Sequence, residues 1–270
     1  MRFTKTGRVR FIGHLDMVRV WERAARRAQL PLVFTEGFSP RPRMHFGLAL
    51  PTCYASTAEY LDVDLDDGTD VEASVAGLNA VLPDGIEVLA AARLAADTAS
   101  LQSVVTASDY IVVAEAEADT VADGISAVLA AEDLELEIRR KGRMQTIDLR
   151  PGVLELEEAR AEDAVVLGPS ADLAPGRCLL RMRLAAQPRS YRPTEVCSVM
   201  QPPVVVKIAH RCAQLVGEPG SYSEPLVVGQ PTHESMLHPD PIEERSGHGT
   251  LREEVPSEPP TAAPTPGSRA

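Results

Sequence analysis

The sequence predicts an α+β chain, on three observations. Short runs alternate apolar and polar residues, longer runs carry apolar residues at helical spacing, and apolar content falls sharply after residue 216. The organisation expected is a first domain over residues 1–98, a second over 104–216, and a proline-rich tail over 217–270.

In the first domain, Arg2–Ile12 alternates as a strand or hairpin, with a turn at Thr6-Gly7. His14–Ala28 reads as a helix, with Leu15, Val18, Trp21, Ala25 and Ala28 on its inner face and Pro31 closing it. Met44–Leu50 and Glu59–Leu65 read as strands, the second ending at Asp66-Asp67-Gly68. Val71–Leu82 is a helix with Val71, Val75, Leu78 and Leu82 on one face, and Gly85–Leu94 is a last strand. The order is βαββαβ, the ferredoxin-like pattern.

The second domain starts in the same way. Asp109–Ala114 is a strand, and Ala118–Ala130 a helix with Val121, Ile125, Val128 and Leu129 inward. Leu134–Arg139 and Arg143–Leu149 form a hairpin around Lys141-Gly142. Val153–Glu157, Val165–Leu167 and Cys178–Leu184 are strands, and Pro193–Met200 opens a helix with Pro at its first turn. This unit is a decorated α+β domain, read as a degenerate ferredoxin-like copy of the first. The two halves do not align well enough to make a repeat.

The tail holds ten of the 22 prolines and six glycines, and its apolar cluster is Leu226-Val227-Val228. Such a segment cannot bury enough surface to offset the entropy of ordering it, so it is expected to be disordered. No apolar run reaches the 18 or so residues that cross a bilayer. Residues 1–20 carry five basic residues and no long apolar stretch, so a cytoplasmic location with no membrane contact is expected. The four cysteines (Cys53, Cys178, Cys197 and Cys212) form no CxxC pair, which points to scattered reduced thiols and to no metal or other cofactor. His233, His238 and His248 of the tail are poor metal candidates for the same reason of composition.

Net charge is −12 and unevenly spread. Residues 1–50 hold ten Lys/Arg against Asp16, Glu22 and Glu36, an excess of +7 that leaves −19 for the rest. So local an excess points to an anionic partner. Arg19, Arg23 and Arg26 or Arg27 recur as a helical stripe, and Glu22 can neutralise only one of them. Gly37–His45 (GFSPRPRMH) is a proline-stiffened loop that presents Phe38, Arg41 and Arg43. Arginines grip phosphates and an exposed ring stacks on bases, the combination that suits single-stranded RNA. His14, beside Asp16 at the start of the basic helix, can bond a phosphate or act in acid–base catalysis. Lys5, Arg8, Arg10 and His45 complete the candidate surface. The basic hairpin tip Arg139–Arg143 extends it or keeps an edge soluble. No Gly-rich phosphate loop, HExxH or GxSxG is present.

Several of these segments resemble a known family. Phe3–Asp16 (FTKTGRVRFIGHLD), Glu22–Arg27 (ERAARR), Gly37–Pro40 (GFSP), Phe46–Pro51 (FGLALP) and Glu59–Asp64 (EYLDVD) are similar to the radical-SAM-linked proteins, a bacterial family of unknown function. Lys141-Gly142, Asp148–Pro151 (DLRP) and Arg192-Pro193 continue the likeness, which covers residues 1–200 and fades at Pro202-Pro203. Gly13 stands where that pattern has Ser before the His. The resemblance implies an accessory role to a radical SAM protein with a cobalamin-type domain. The chain lacks the CxxxCxxC element that holds a radical SAM cluster, so the radical chemistry is expected to belong to the partner. Paired ferredoxin-like units also resemble the architecture of CRISPR RNA-processing endonucleases, whose glycine-rich C-terminal loop is missing here. Three functions follow: an RNA- or phosphate-binding accessory module, a metal-independent RNA endonuclease using His14, and a purely protein-binding adaptor.

Overall fold

The computed structural model describes residues 1–95, 97–140, 142–170 and 174–226. Lys141 of the expected hairpin tip, and the tail from residue 227 with its three histidines, lie outside the described residues. The chain is mixed α+β, built on one mostly antiparallel sheet.

The first half runs β1 (Arg2–Lys5), α1 (His14–Arg27), β2 (Met44–Phe46), β3 (Ala55–Val63), α2 (Val71–Asn79) and β4 (Val88–Ala90). Its strands pair in the order β4-β1-β3-β2, all antiparallel. One face buries Phe3, Leu61 and Val88 against Met17, Trp21 and Ala24 of α1 and Leu78 of α2. Phe3 and Trp21 meet edge-on at 4.8 Å, and burying each such side chain stabilises by roughly 1.5–3 kcal/mol. Asp70 caps α2 by accepting the Ala73 N–H at 3.0 Å. The second half runs a short α3 (Leu101–Val104), β5 (Val105–Glu115), α4 (Ala118–Ala130), the hairpin β6 (Glu135–Arg140) and β7 (Arg143–Asp148), β8 (Val153–Glu158), β9 (Arg177–Ala185), α5 (Pro193–Val199) and β10 (Val205–Val216). Its strands pair in the order β10-β5-β9-β8, again antiparallel, and the β6–β7 ribbon stands apart as its own two-stranded sheet. Val121 and Val128 of α4 and Val196 and Cys197 of α5 cover Val112, Leu180 and Met182.

Several local expectations are corrected. Arg2–Ile12 is not one strand: β1 stops at Lys5 and Gly7–Phe11 is a 3-10 turn. Met44–Leu50 keeps only three strand residues before the chain turns away at Gly47. Val165–Leu167 lies in a 3-10 segment (Ala161–Ser170) whose Ala164 and Leu167 cover Ile111 and Val113; a short apolar run fits either conformation. Leu15, expected inside, is 72% exposed because the inner face of α1 is centred on Met17, Trp21, Ala24 and Ala25. Leu129 of α4, also expected inward, is 40% exposed.

The sheet is continuous across the boundary expected near residue 98, and β10 makes it so. β10 pairs with β5 along its length and, in parallel, with β3 through His210↔Ala55 and Arg211↔Ser56. Side chains reinforce this short seam. Arg211 donates to Glu59 Oε1 through Nε at 3.0 Å and Nη2 at 2.6 Å, and to Leu48 O at 2.8 Å. Ser56 Oγ donates to Arg211 O and Gln214 Nε2 to Ala58 O, at 3.1 and 2.6 Å. Past β10 the chain stays packed: Glu224 pairs with Arg2 at 2.7 Å, and Tyr60 donates to Leu226 O at 3.4 Å. The boundary expected at 216 therefore falls short of the folded part.

Arg211 and Glu59 are 2% and 7% exposed, so Arg211→Met should strand a buried carboxylate and cost about 3–5 kcal/mol. Pairing it with Glu59→Leu should recover much of that loss. Urea unfolding followed by the fluorescence of Trp21, the single tryptophan, measures both. An Arg211→Met variant as stable as wild type would show that the seam does not depend on this pair.

His210 gives a second expectation. It is 2% exposed and its Nε2 lies 3.3 Å from Thr57 Oγ1. Burial lowers its pKa from 6.5 to about 4. The unfolded chain then binds the proton that the folded chain refuses, so stability is complete above pH 6.5 and falls as the pH drops toward 4. The loss attributable to this group is about 3 kcal/mol. His210→Asn should flatten that part of the stability–pH curve, and an unchanged slope would assign the acid sensitivity elsewhere.

Candidate functional site

Residues 33–43 form a projecting loop clamped at its base. Val33 N–H donates to Asp64 O at 3.0 Å, Arg43 N–H to Val33 O at 2.9 Å, and Asp64 N–H to Arg43 O at 3.0 Å. Higher up, Thr35 N–H donates to Arg41 O at 2.9 Å, and Arg41 N–H to Thr35 Oγ1 at 3.1 Å. Gly37 turns the tip at φ +122, a conformation that side chains disfavour. Phe38 is fully exposed there, and Phe34 half-exposed below it. A ring held clear of the protein is pre-arranged for stacking on a partner.

The arginines sort by their partners. Arg19 pairs with Asp16 at 2.9 Å, Arg26 with Glu22 at 3.5 Å and Arg43 with Asp64 at 3.1 Å, all at the surface. Such pairs are worth little and open readily to a stronger anion. Arg8, Arg23, Arg27 and Arg41 are exposed, and no ion pair holds them among the described residues. Arg10 lies over the Phe11 ring at 4.6 Å, with its Nε buried and unbonded. Lys5 is not at the surface at all: it is 4% exposed and donates to Ile12 O at 3.0 Å. Burial holds its ammonium below the ordinary lysine range, against the pull of Glu59.

The two histidines do not meet as a pair. Phe46 packs edge-on against Phe3 and, at 5.3 Å, against His14 on the helix-covered face. His45 alternates to the other face of β2, where its register partner is Asp62. Burial lifts the Asp62 carboxyl above its usual range, against the downward pull of the N-terminal ammonium and, less, of His45. Both histidines border an open groove of about 900 Å³ beside β2, lined by Asp62, Asp64, Asp66 and Asp67. Charge counting missed this acidic lining. Its signal was visible in the alternation of Asp62, Asp64 and Asp66, which sets the three on one side of an extended segment. Also missed was the buried trio Lys5, Glu59 and Arg211, because Arg211 lies far from the other two in sequence.

Cys53 is exposed, Cys178 and Cys197 buried and Cys212 half-buried, all as free thiols. Burial pushes Cys197 and Cys212 up to about 12, so both are inert at neutral pH. Among the described residues no group of three or more His, Cys, Asp or Glu is placed to hold a metal, and no helix is long and apolar enough to cross a membrane.

Comparison with curated proteins finds no match. Among solved structures, a chain of a Cbf5-Nop10-Gar1 complex is similar at 10% identity and a TM-score of 0.41, over 78% of this chain and 47% of that one. A chain of the archaeal box H/ACA sRNP Nop10-Cbf5 complex is similar at 9% identity and a TM-score of 0.38, over 77% and 45%. This chain thus spans less than half the length of the solved chains it matches. At these scores the likeness says nothing about what it binds. A family model described as "Uncharacterized protein conserved in bacteria (DUF2344)" matches residues 1–191, and the chain belongs to that family.

Proposed function

We propose that this chain is a cytoplasmic RNA-binding module that serves a radical SAM enzyme, without contact to a membrane. The observation that carries the reading is the projecting loop. It offers Phe38 as a stacking platform and Arg41 as a cation with no ion pair among the described residues, with exposed Arg19, Arg23 and Arg27 on α1 and Arg8 before it. Rings stack on any base and guanidinium groups grip phosphates, so this surface suits a single strand or an unpaired loop. The radical SAM partner is supported by the resemblance of Phe3–Asp16 and the segments after it. A ferredoxin-like reading of each half is supported by the strand orders β4-β1-β3-β2 and β10-β5-β9-β8.

The endonuclease reading has less support. His14 lines the same groove as His45 but on the other side of β2, so the two histidines do not form an acid–base pair. The adaptor reading draws on Phe11 and Leu15, which are 55% and 72% exposed where α1 begins.

Four to six phosphate contacts should give a slope of log K against log salt of roughly −3 to −4 for single-stranded RNA. Replacing both Arg23 and Arg41 with Ala should weaken binding at least about tenfold and flatten that slope, since charge-assisted bonds are the strong ones. Phe38→Ala should weaken binding by about 1–3 kcal/mol without changing the slope. His14→Ala should reduce affinity modestly; loss of RNA cleavage with affinity intact would instead establish the nuclease. Fluorescence anisotropy with cellular RNA at low salt decides the matter, and no binding there removes the RNA reading and leaves the adaptor.

A further inference from the structure

The β6–β7 ribbon plays no part in the RNA surface proposed above. It is fixed at its base and free at its tip. Leu149 N–H donates to Leu134 O at 2.8 Å, and Asp148 Oδ1 accepts from Leu134 N–H and Arg150 N–H, each at 2.8 Å. The Arg150 guanidinium ties the base to the end of α4, donating to Leu129 O, Ala131 O and Val153 O at 3.3, 3.2 and 2.9 Å. Leu134, Leu136 and Ile147 pack on the core of the second half, and Leu136 and Ile147 are partners across the ribbon. The register runs on through Ile138↔Gln145 and Arg139↔Met144 to Arg140↔Arg143, so the tip stands roughly 14 Å beyond the last packed pair.

Charge is sorted by sign along the ribbon. Its acids, Glu135, Glu137 and Asp148, stand in the lower part, and Arg139, Arg140 and Arg143 stand at the tip. All three arginines are exposed, and no ion pair holds them among the described residues. Arg140 and Arg143 are direct cross-strand partners, and like charges placed opposite each other destabilise a ribbon. Charges that merely kept the free edges soluble could be of either sign and would gain nothing from being sorted. An anion between the two guanidinium groups turns their repulsion into charge-assisted contacts. Residues 135–148 contain no aromatic ring, in contrast to the loop that carries Phe34 and Phe38. The tip is thus equipped for phosphates and not for stacking on bases.

The ribbon and α1 lie over the same face of the sheet. Arg211 marks that face. Its guanidinium reaches Glu59, which alternates with Leu61 beneath α1, and Tyr110, which belongs to the core beneath the ribbon. We propose that the ribbon tip takes the phosphates of a base-paired stem next to the unpaired nucleotides held on the loop and α1. This rests on the RNA reading and names its ligand class, a stem-loop. The major groove of an A-form stem is too deep and narrow for protein side chains to read, but its backbone is open to contact. Pairing also raises the number of phosphates per length of helix, which suits three arginines without a ring.

The test measures the affinity of the full chain, at fixed low salt, for an unpaired oligoribonucleotide, for the same sequence closed as the loop of a hairpin, and for the stem alone as a duplex. The hairpin should bind at least about tenfold more tightly than the unpaired strand, with a salt slope steeper by roughly 2 to 3. Replacing both Arg140 and Arg143 with Ala should remove that gain and the extra slope, and leave affinity for the unpaired strand unchanged. Phe38→Ala should weaken the unpaired strand and the hairpin alike. Arg143→Glu controls for the ribbon itself: it sets an opposite charge across from Arg140, which favours the pairing of β6 with β7, and should lose the gain as fully as the double variant. An unpaired strand that binds with no gain from the stem, a gain that survives these substitutions, or an equal loss on the unpaired strand overturns the proposal and leaves the RNA reading standing. Duplex binding that needs Arg140 and Arg143 but not Phe38, in a chain that does not bind the unpaired strand, keeps the ribbon as a phosphate site and removes the reading of the loop. No binding of any of these RNAs removes both, and the tip is then matched to an acidic protein segment.

Discussion

The architecture depends on how the two halves are joined. Each half closes a four-stranded antiparallel sheet, and among the described residues the only backbone ladder between them is the two-residue parallel pairing of β10 with β3. So short a ladder contributes few hydrogen bonds. The seam is held instead by side chains that reach across it: Arg211 to Glu59 and Leu48, Ser56 to Arg211, Gln214 to Ala58, and Arg2 to Cys212 O at 3.2 Å. Buried polar groups tolerate few alternative arrangements, because each slip leaves a donor or carboxylate unpaired. The seam thereby selects one register, whereas an apolar edge would admit several.

That choice of chemistry has a consequence for the first half of the chain. Glu59 sits on β3 next to Lys5 of β1, and Arg211 takes its Oε1, so one buried carboxylate serves two cations. Arg211 also bonds Leu48 O, which holds the Gly47–Leu50 stretch in place. A strand near the C-terminal end of the fold therefore fixes buried groups that belong to the first 60 residues. Damage to β10 should be felt at Lys5 even though the two never appear together in a local motif.

Much of the fold was legible from periodicity. The α1 segment, α2, α4 and α5 all carry apolar residues at helical spacing, and β9 was read to within a residue because its long run sits between Gly176 and Pro188. β10 was not legible. It carries His210, Arg211 and Gln214 where a central strand is expected to carry Val or Ile, and those polar residues are there because of the seam. The same cause hid the continuity of the sheet across the boundary expected near residue 98, since nothing local says that a later strand will bridge the halves. At the site, the projecting loop was legible from Gly37 and its two prolines. Lys5 was read as part of an exposed basic surface, since a charge count does not know which side of β1 a residue occupies.

The distribution of charge around β2 bears on how a strand of RNA would lie. The groove beside the loop is lined by four aspartates against one arginine, Arg93, whereas the other arginines of the basic surface stand on the outer face of α1 and on the loop itself. At physiological salt a charge is felt over about 8 Å, so a backbone that entered the groove would meet the aspartates before the arginines could compensate. On the RNA reading, the phosphates would run over the arginines, and the groove would be left for groups that donate hydrogen bonds, such as the exocyclic amines of unpaired bases. Phe38 and Phe46 sit at either end of that division, one free on the loop tip and the other packed beneath His14. Only the free ring is available for stacking. On this arrangement the polarity of binding, with backbone outward and bases inward, follows from where the acids are as much as from where the arginines are.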